Sequence, residues 1–269
     1  MCELFAFTSN QPATVSVSLD QFASHGSSDS ENKDGWGIAY YFEGDIRRYR
    51  DTGPAAESVL VKFVEEQSLR STQVLAHIRN ANVGSVRLPN THPFSRELGG
   101  NMHTFAHNGY LGSIATEKSF ALHRFQSIGD TDSEHAFCVL LDRLSSIWMH
   151  ESDVPAFTDR LDIVALFARE IREMGLSNFI YCDGDTIFVH ADRRRQSDGK
   201  YRPPGLWLHQ QTCPECDGPI RGGGISIDSE RQKIAMVASV PITEDHWEPL
   251  DGGTVIAMRN GEVVAKLES

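Results

Sequence analysis

The sequence has no apolar run that approaches the roughly 18 residues needed to span a bilayer, and its start lacks the basic leader of a secretory signal peptide. Its five cysteines are odd in number and irregularly spaced, so they do not form the pattern of a disulfide framework. We therefore expect a chain of the reduced cytoplasm. Basic charge is also in deficit, because 25 Lys and Arg stand against 37 Asp and Glu. The resulting formal charge of −12 argues against nucleic acid or an anionic membrane surface as a partner.

Internal repeats and long low-complexity linkers are also missing. The glycines at 222–224 do not follow the strand-to-helix pattern of a phosphate-binding loop, which makes a nucleotide site a weak interpretation. The short basic run 193–195 is interpreted as a solvated loop. The hydrophobic fraction of 40% and charged fraction of 23% are typical of a soluble globular protein, so disorder is not expected.

Short apolar runs bounded by turn residues predict strands on both sides of two consecutive helices. The predicted strands are residues 3–7, 36–42, 46–50, 73–79, 103–107, 179–182, 187–190, 206–209, 234–239, 254–259 and 263–267. The predicted helices are residues 55–67, a helix from Thr131 or Asp132 to about His150, and residues 156–174. On the first helix, Val59, Leu60, Phe63 and Val64 are expected to share one apolar face. This order predicts an α+β protein in which helices cover antiparallel sheets, rather than a parallel βαβ sheet.

Cys2 stands directly after the initiator methionine. If Met1 is removed, Cys2 carries both a thiol and a free α-amine, whose ordinary pKa of about 7.7–8.0 suits a general base near neutral pH. A deprotonated thiol is also a strong nucleophile. From position alone, a chance structural cysteine is the more common interpretation.

Three other segments contain groups that an acyl-transfer site needs. Asn108 and Gly109 offer a side-chain amide and a backbone N–H as two donors of an oxyanion hole. Arg79 offers bidentate pairing to an α-carboxylate, and Asp132 offers a negative charge for an α-ammonium. Each has a plainer interpretation, namely a hairpin turn, a surface ion pair and a helix cap. Together with Cys2, they make up a complete set of nucleophile, base, oxyanion donors and substrate anchors.

The pair Cys213 and Cys216 has the Cys-x-x-Cys spacing of half a zinc site or of a redox pair. No second cysteine pair accompanies it. We predict that it does not hold zinc, and we expect neither a metal nor a cofactor.

Six segments in order resemble the class II glutamine amidotransferases, which have an N-terminal cysteine nucleophile. These segments are Met1-Cys2, Lys33-Asp34-Gly35-Trp36-Gly37-Ile38-Ala39, Ala76-His77-Ile78-Arg79, Asn90-Thr91-His92-Pro93, His107-Asn108-Gly109 and Asp130-Thr131-Asp132-Ser133-Glu134. The resemblance is greatest to the YafJ-like subgroup, a stand-alone domain of the glutaminase type. It implies a single domain over residues 1–269 with the four-layer αββα sandwich of the Ntn hydrolases.

By position, the resemblance implies that Cys2 is the nucleophile and that Asn108 and Gly109 form the oxyanion hole. Arg79 would bind the substrate carboxylate, and Asp132 the substrate amine.

His92 corresponds to a family histidine near the pocket and is expected to have a positioning role. The chain departs from the family after Arg79, where Asn80-Ala81-Asn82-Val83-Gly84 replaces the Trp, Thr and His that line the glutamine pocket of the glucosamine phosphate enzymes. The expected substrate is therefore glutamine or another γ-glutamyl amide, hydrolysed through a Cys2 thioester. Two alternatives stay open: a glutaminase subunit that supplies ammonia to a separate synthase, and a non-catalytic binder of glutamine-like metabolites.

Overall fold

The computed structural model describes residues 2–17, 34–55, 58–80, 84–148, 153–212, 220–222, 225–228, 232–244 and 246–268. The strands are β1 (Glu3–Val17), β2 (Trp36–Phe42), β3 (Asp45–Asp51), β4 (Arg70–Ile78), β5 (Phe94–Leu98), β6 (Asn101–Tyr110), β7 (Leu176–Cys182), β8 (Ile187–His190), β9 (Arg194–Arg195), β10 (Tyr201–Arg202), β11 (Trp207–Thr212), β12 (Ile220–Gly222), β13 (Ile225–Asp228), β14 (Lys233–Ala238), β15 (Glu248–Pro249), β16 (Val255–Arg259) and β17 (Glu262–Leu267). The helices are α1 (Val59–Glu66), α2 (Asp132–Trp148) and α3 (Phe157–Met174).

These strands form two large antiparallel sheets and one small ribbon. The first sheet has the order β15-β11-β14-β1-β4-β2-β3, with β12 and β13 attached beside β1. The second sheet has the order β17-β16-β8-β7-β6-β5. β9 and β10 pair separately. The antiparallel arrangement predicted from the sequence is confirmed.

Successive residues of a strand face opposite sides of its sheet, and β1 shows what each side covers. Phe5 and Phe7 belong to the apolar cluster that includes Val61 of α1. The residue between them, Ala6, belongs to a second cluster that also contains Ile180 of the other sheet. The outer face of that second sheet packs against α2 and α3 through a third cluster. The layers are therefore helix, sheet, sheet and helix.

The first helix differs most from its prediction. It begins at Val59 rather than residue 55, and its buried residues are Val61 and Val64. Val64 and the partly buried Leu60 pack against the core as predicted, but Val59 is 80% exposed and Phe63 is 47% exposed, so the prediction was wrong for these two. The run 59–61 is apolar throughout and does not reveal which residue turns inward. Spacing by three brings Val61 and Val64 onto the one face that the sheet covers.

Strand β5 was not predicted, because its segment contains charged residues and follows a turn with proline. The predicted strand at residues 3–7 is only the start of β1, which continues to Val17 past an irregularity between Thr8 and Ala13. An Asn-Gly turn joins β16 and β17. Asn260 and Gly261 have φ values of 53° and 78°, as a tight two-residue hairpin requires.

Candidate active site

The predicted site residues lie where the two sheets face each other. Cys2 precedes Leu4 by two positions, Arg79 follows Leu75 by four, and Asn108 follows Ala106 by two. Leu4, Leu75 and Ala106 all belong to the cluster between the sheets. Side chains that are an even number of positions apart in a strand face the same side of the sheet. Cys2, Arg79 and Asn108 are therefore directed toward this interior, near the ends of their strands.

The thiol of Cys2 is held by the backbone of Asn80. The Asn80 N–H lies 3.2 Å from Cys2 Sγ, and the thiol donates to the Asn80 carbonyl oxygen at 3.3 Å. Burial raises the pKa of the Cys2 thiol, whereas the Asn80 N–H and the charge of Arg79 lower it. Since burial is the largest influence, the thiol needs a base to become a nucleophile.

Asn108 contacts Cys2 directly across the two sheets. Its Nδ2 donates to the Cys2 carbonyl oxygen at 2.7 Å. A carboxamide nitrogen has two N–H donors, so this bond leaves the second one for a substrate oxygen. Asn108 and Gly109 lie within β6, paired with Asn178 and Ser177, and so they do not form a hairpin turn.

Arg79 is 3% exposed, so it does not form a surface ion pair. Its backbone N–H donates to the Gly35 carbonyl at 2.8 Å. Its guanidinium makes long contacts with the carbonyl oxygens of Asp34, at 3.5 Å, and Gly84, at 3.4 Å. Contacts of this length are weak, and a carboxylate is a stronger partner for the same N–H groups.

Asp132 is the first residue of α2, but the side chain that caps this helix belongs to Thr131. Thr131 Oγ1 accepts the Glu134 N–H at 3.2 Å, the pattern of an N-cap. Asp132 Oδ2 instead accepts the Leu111 N–H at 2.6 Å, and Oδ1 accepts the Ser133 N–H at 2.9 Å. Asp132 therefore joins the helix to the end of β6, beside Asn108 and Gly109.

A cavity of about 310 Å³ opens beside Asp132. Its lining combines apolar side chains with two carboxylates: Tyr110, Leu111, Gly112, Ile114, Ala115, Ser127, Gly129, Asp130, Thr131, Asp132 and His135. Of the predicted site residues, only Asp132 contributes to it. The cavity therefore adjoins the amine-binding end of the predicted site and does not include Cys2.

His92 is buried away from the thiol contacts. Its ring lies 4.2 Å from that of His77 and 4.4 Å from that of Phe94, between centroids. Burial lowers the pKa of His92 well below its ordinary value and that of His77 to about 3, so both are neutral at pH 7. His92 thus packs against His77, the strand neighbour of Arg79 two positions away, and its positioning role stays a prediction.

Asn90 was not identified from the sequence as a site residue, although it begins one of the six segments that resemble the family. It is fully buried, and its Nδ2 donates to the Ser85 carbonyl at 2.8 Å and to the Asp130 carboxylate. Its Oδ1 accepts the Asp130 N–H at 3.0 Å. Asn90 therefore ties the loop after Arg79 to the segment that precedes Asp132.

The interpretation of residues 193–195 as a solvated loop was wrong for Arg194. This residue is 5% exposed and pairs with the fully buried Glu3, its Nη2 lying 3.0 Å from Glu3 Oε1. Nothing in the short basic run indicates this partner, which lies 191 positions away.

The zinc prediction concerns Cys213 and Cys216, which lie outside the described residues. Within the described ranges, no group of three or more His, Cys, Asp or Glu side chains is arranged to hold a metal ion. Over the same part of the chain, no helix has the length and apolar character needed to cross a bilayer.

Comparison with known proteins identifies the family. A family model described as class-II glutamine amidotransferases matches residues 1–269. The Escherichia coli protein named "Putative glutamine amidotransferase YafJ" is 37% identical over 254 residues, which cover 94% of this chain and 95% of that protein. The crystal structure of a predicted glutamine amidotransferase from Pseudomonas aeruginosa has a TM-score of 0.69 at 27% identity, and the match covers 98% of this chain and 100% of that one.

A more distant structure supports the fold alone. Glutamine phosphoribosylpyrophosphate amidotransferase from B. subtilis has a TM-score of 0.58 at 12% identity, over 99% of this chain and 49% of that one. The six ordered motifs, the antiparallel layers and the full-length family match lead to one conclusion: the chain belongs to the class II glutamine amidotransferases of the YafJ type, enzymes that act on carbon–nitrogen amide bonds, and has their αββα Ntn-hydrolase fold.

Proposed function

We propose that this enzyme hydrolyses the side-chain amide of glutamine or of a γ-glutamyl compound through a thioester on Cys2. The thiol proton passes to the α-amine of Cys2 as sulfur bonds to the amide carbon. The same proton then passes to the leaving nitrogen as the carbon–nitrogen bond breaks, which releases ammonia or an amine. Water, deprotonated by the α-amine, attacks the thioester and frees the thiol and the carboxylate product.

The contact between Asn108 and Cys2 is the observation that carries this proposal. A donor that stabilises an oxyanion must lie within hydrogen-bond reach of the attacked carbonyl, and so must be held close to the nucleophile. The bond of 2.7 Å from Asn108 Nδ2 to the Cys2 carbonyl brings the two residues together although 106 positions separate them. Losing one such donor typically costs about 10²–10³ in kcat.

The proposed binding of the amino-acid end of the substrate rests on opposite charges. In this proposal, Arg79 binds the α-carboxylate and Asp132 the α-ammonium. The burial of Arg79 and the influence of its charge on the Cys2 thiol support its role, because both put the guanidinium close to the nucleophile. The two hydrogen bonds that Asp132 accepts from backbone N–H groups, at 2.6 Å and 2.9 Å, fix its carboxylate in one orientation.

The test measures glutamate and ammonia released from glutamine, and amine released from γ-glutamyl amides, by protein from which Met1 has been removed. We expect turnover by the wild type and none by Cys2→Ala. Cys138→Ala is the matched control, because Cys138 is a free cysteine buried on α2. Circular dichroism and thermal unfolding verify that both variants are folded.

Wild-type turnover in a folded Cys2→Ala protein would contradict the nucleophile assignment. Binding of glutamine without any product from the wild type would favour the non-catalytic alternative. Turnover that appears only with a second protein present would favour the ammonia-donating alternative.

A further inference from the structure

We propose that Asn178 and Arg194 are positioning residues that hold Cys2 and Asn108 in register across the two sheets. The inference rests on the proposed function for its catalytic consequence. It concerns residues that neither the motifs nor the family match assign to the site.

The first half of this arrangement fixes Asn108. Asn178 lies opposite Asn108 on β7, and its Nδ2 donates to the Asn108 carbonyl oxygen at 3.3 Å. The same nitrogen donates to the Arg193 carbonyl at 2.8 Å, and Asn178 Oδ1 accepts the Asp192 N–H at 2.7 Å. Asn178 is 1% exposed, and it therefore joins the Asn108 carbonyl to the backbone of the segment 192–193 inside the protein.

The second half fixes the residue that follows Cys2. Arg194 Nη2 donates to Glu3 Oε1 at 3.0 Å, and its Nη1 donates to the carbonyl oxygen of Ser239. Ser239 in turn bonds Leu4 on both backbone groups: its N–H donates to the Leu4 carbonyl at 3.0 Å, and its Oγ accepts the Leu4 N–H at 2.9 Å. Arg194 therefore ties the start of β1 to the end of β14.

Because Asp192, Arg193 and Arg194 are consecutive, the two halves close into a ring. The ring leads from Cys2 through Glu3 and Arg194 to Asn178, then to Asn108, and returns to the Cys2 carbonyl. The nucleophile Cys2 comes from one sheet and the oxyanion donor Asn108 from the other. The ring links them through hydrogen bonds, in addition to the apolar cluster between the sheets. A ring of this kind restricts the distance between nucleophile and oxyanion donor more than any one bond does.

Stability alone is a poor reason for such a buried ion pair. Removing a carboxylate and a guanidinium from water is unfavourable, and apolar replacements of buried pairs are often neutral or stabilising. Burial is the largest influence on Glu3 and raises the pKa of its carboxyl, which the charge of Arg194 opposes. The pair of Glu3 and Arg194 also lies directly beside the nucleophile in the chain, where the orientation of Cys2 affects the rate of the reaction.

A second buried pair in the same protein provides the control. Arg160 Nη1 lies 2.6 Å from Asp183 Oδ2, and these side chains are 2% and 0% exposed. Asp183 follows β7 by one residue and lies five positions from Asn178, which is about 17 Å along a strand. Arg160→Lys thus disturbs an equally buried ion pair without contact with the ring.

The experiment compares Arg194→Lys with Arg160→Lys in mature protein. Lysine keeps the charge but has one nitrogen in place of the fork that reaches both Glu3 and Ser239. A displacement near 1 Å costs about 10²-fold in rate, so we expect kcat of Arg194→Lys to fall at least about tenfold below that of Arg160→Lys. KM should stay within twofold, because Arg79 and Asp132 are untouched.

A second readout does not depend on turnover. Hydrogen exchange of the Asn108 carboxamide, followed by NMR, should be slow in the wild type and in Arg160→Lys and at least tenfold faster in Arg194→Lys. Asn178→Asp keeps the acceptor but removes the two donors, and it should accelerate the same exchange; it replaces Arg194→Lys if that variant does not fold.

Unchanged exchange of the Asn108 carboxamide in the folded variants would overturn the ring, as would a kcat of Arg194→Lys within tenfold of the control. If the wild type releases no product from any amide, the proposed function fails, and the exchange measurement alone decides whether the ring exists.

Discussion

Gly109→Ala tests whether the glycine of the proposed oxyanion hole is required by packing as well as by chemistry. An ideal Cβ at this position lies 1.7 Å from the carbonyl oxygen of Leu176, 2.5 Å from its carbonyl carbon and 2.6 Å from Nε2 of His107. The first two atoms belong to the backbone of β7 and cannot rotate away. To bring the closest contact to 3.0 Å, β6 and β7 must separate locally by about 1.3 Å.

The expected losses of stability and of kcat follow from this separation of the strands. Overpacking that side chains relieve costs about 1–3 kcal/mol, and here the backbone itself has to move, so we expect a loss of about 3 kcal/mol or more in the free energy of unfolding. The same displacement would move the Gly109 N–H by about 1 Å, which corresponds to a loss of about 10²-fold in kcat for the folded fraction.

Urea unfolding followed by fluorescence measures the first quantity, and the control is Gly53→Ala. No atom lies within 4 Å of an ideal Cβ at Gly53, so its free energy of unfolding should change by no more than about 0.5 kcal/mol. Equal unfolding free energies for the two variants would refute the packing argument. A destabilised Gly109→Ala with wild-type kcat would refute the catalytic one.

Three further predictions address substrate binding, pH and maturation. Arg79→Ala should raise KM for glutamine by the equivalent of about 1.5–3 kcal/mol, and unchanged steady-state kinetics of both Arg79→Ala and Asp132→Ala would exclude them as anchors. Burial lowers the pKa of His77 to about 3, so the stability it contributes is complete above the unfolded value of about 6.5 and is lost as pH falls from there toward 3. His77→Leu should therefore lessen the loss of unfolding free energy between pH 7 and pH 5 by about 2 kcal/mol; a loss equal to that of the wild type in urea titrations would contradict this. Retaining a residue before Cys2 turns its amine into an amide and should slow single-turnover thioester formation at least about 10²-fold, and equal rates would mean that the amine is not the base.

Much of the fold is predictable because its signals are local. Strands β7 and β16 alternate between two apolar clusters, and α2 and α3 repeat apolar residues at helical spacing. The failures also have local causes. β5 contains Arg96 and Glu97, whose polar side chains hide the strand pattern, and α1 presents consecutive apolar residues that leave its buried face ambiguous.

The residues of the candidate site likewise fall into those that a local motif identifies and those that it does not. Asn108 and Arg79 were identifiable because each stands in a short motif whose order along the chain is typical of the family. Asn178 has no such signal, since a buried asparagine in a strand differs from any other strand residue only through the groups that it meets. Glu3 and Arg194 are 191 positions apart, and neither sequence neighbourhood indicates an ion pair.

The position of the nucleophile relative to the oxyanion donor therefore depends on how the two sheets are aligned, and no single motif specifies that alignment. Cys2 directly precedes β1 of one sheet and Asn108 lies in β6 of the other, and their contact of 2.7 Å requires the sheets to meet in one register. Apolar packing alone tolerates volume-conserving rearrangement, and so it leaves such a register loosely specified. Hydrogen bonds are directional, and buried ones are costly to leave unmade. The buried polar ring around Cys2 can thus fix the register of the two sheets at the site, which the apolar cluster between them does not. For this reason, hydrogen exchange of the Asn108 carboxamide should change on substitution of Arg194 and not on substitution of the equally buried Arg160.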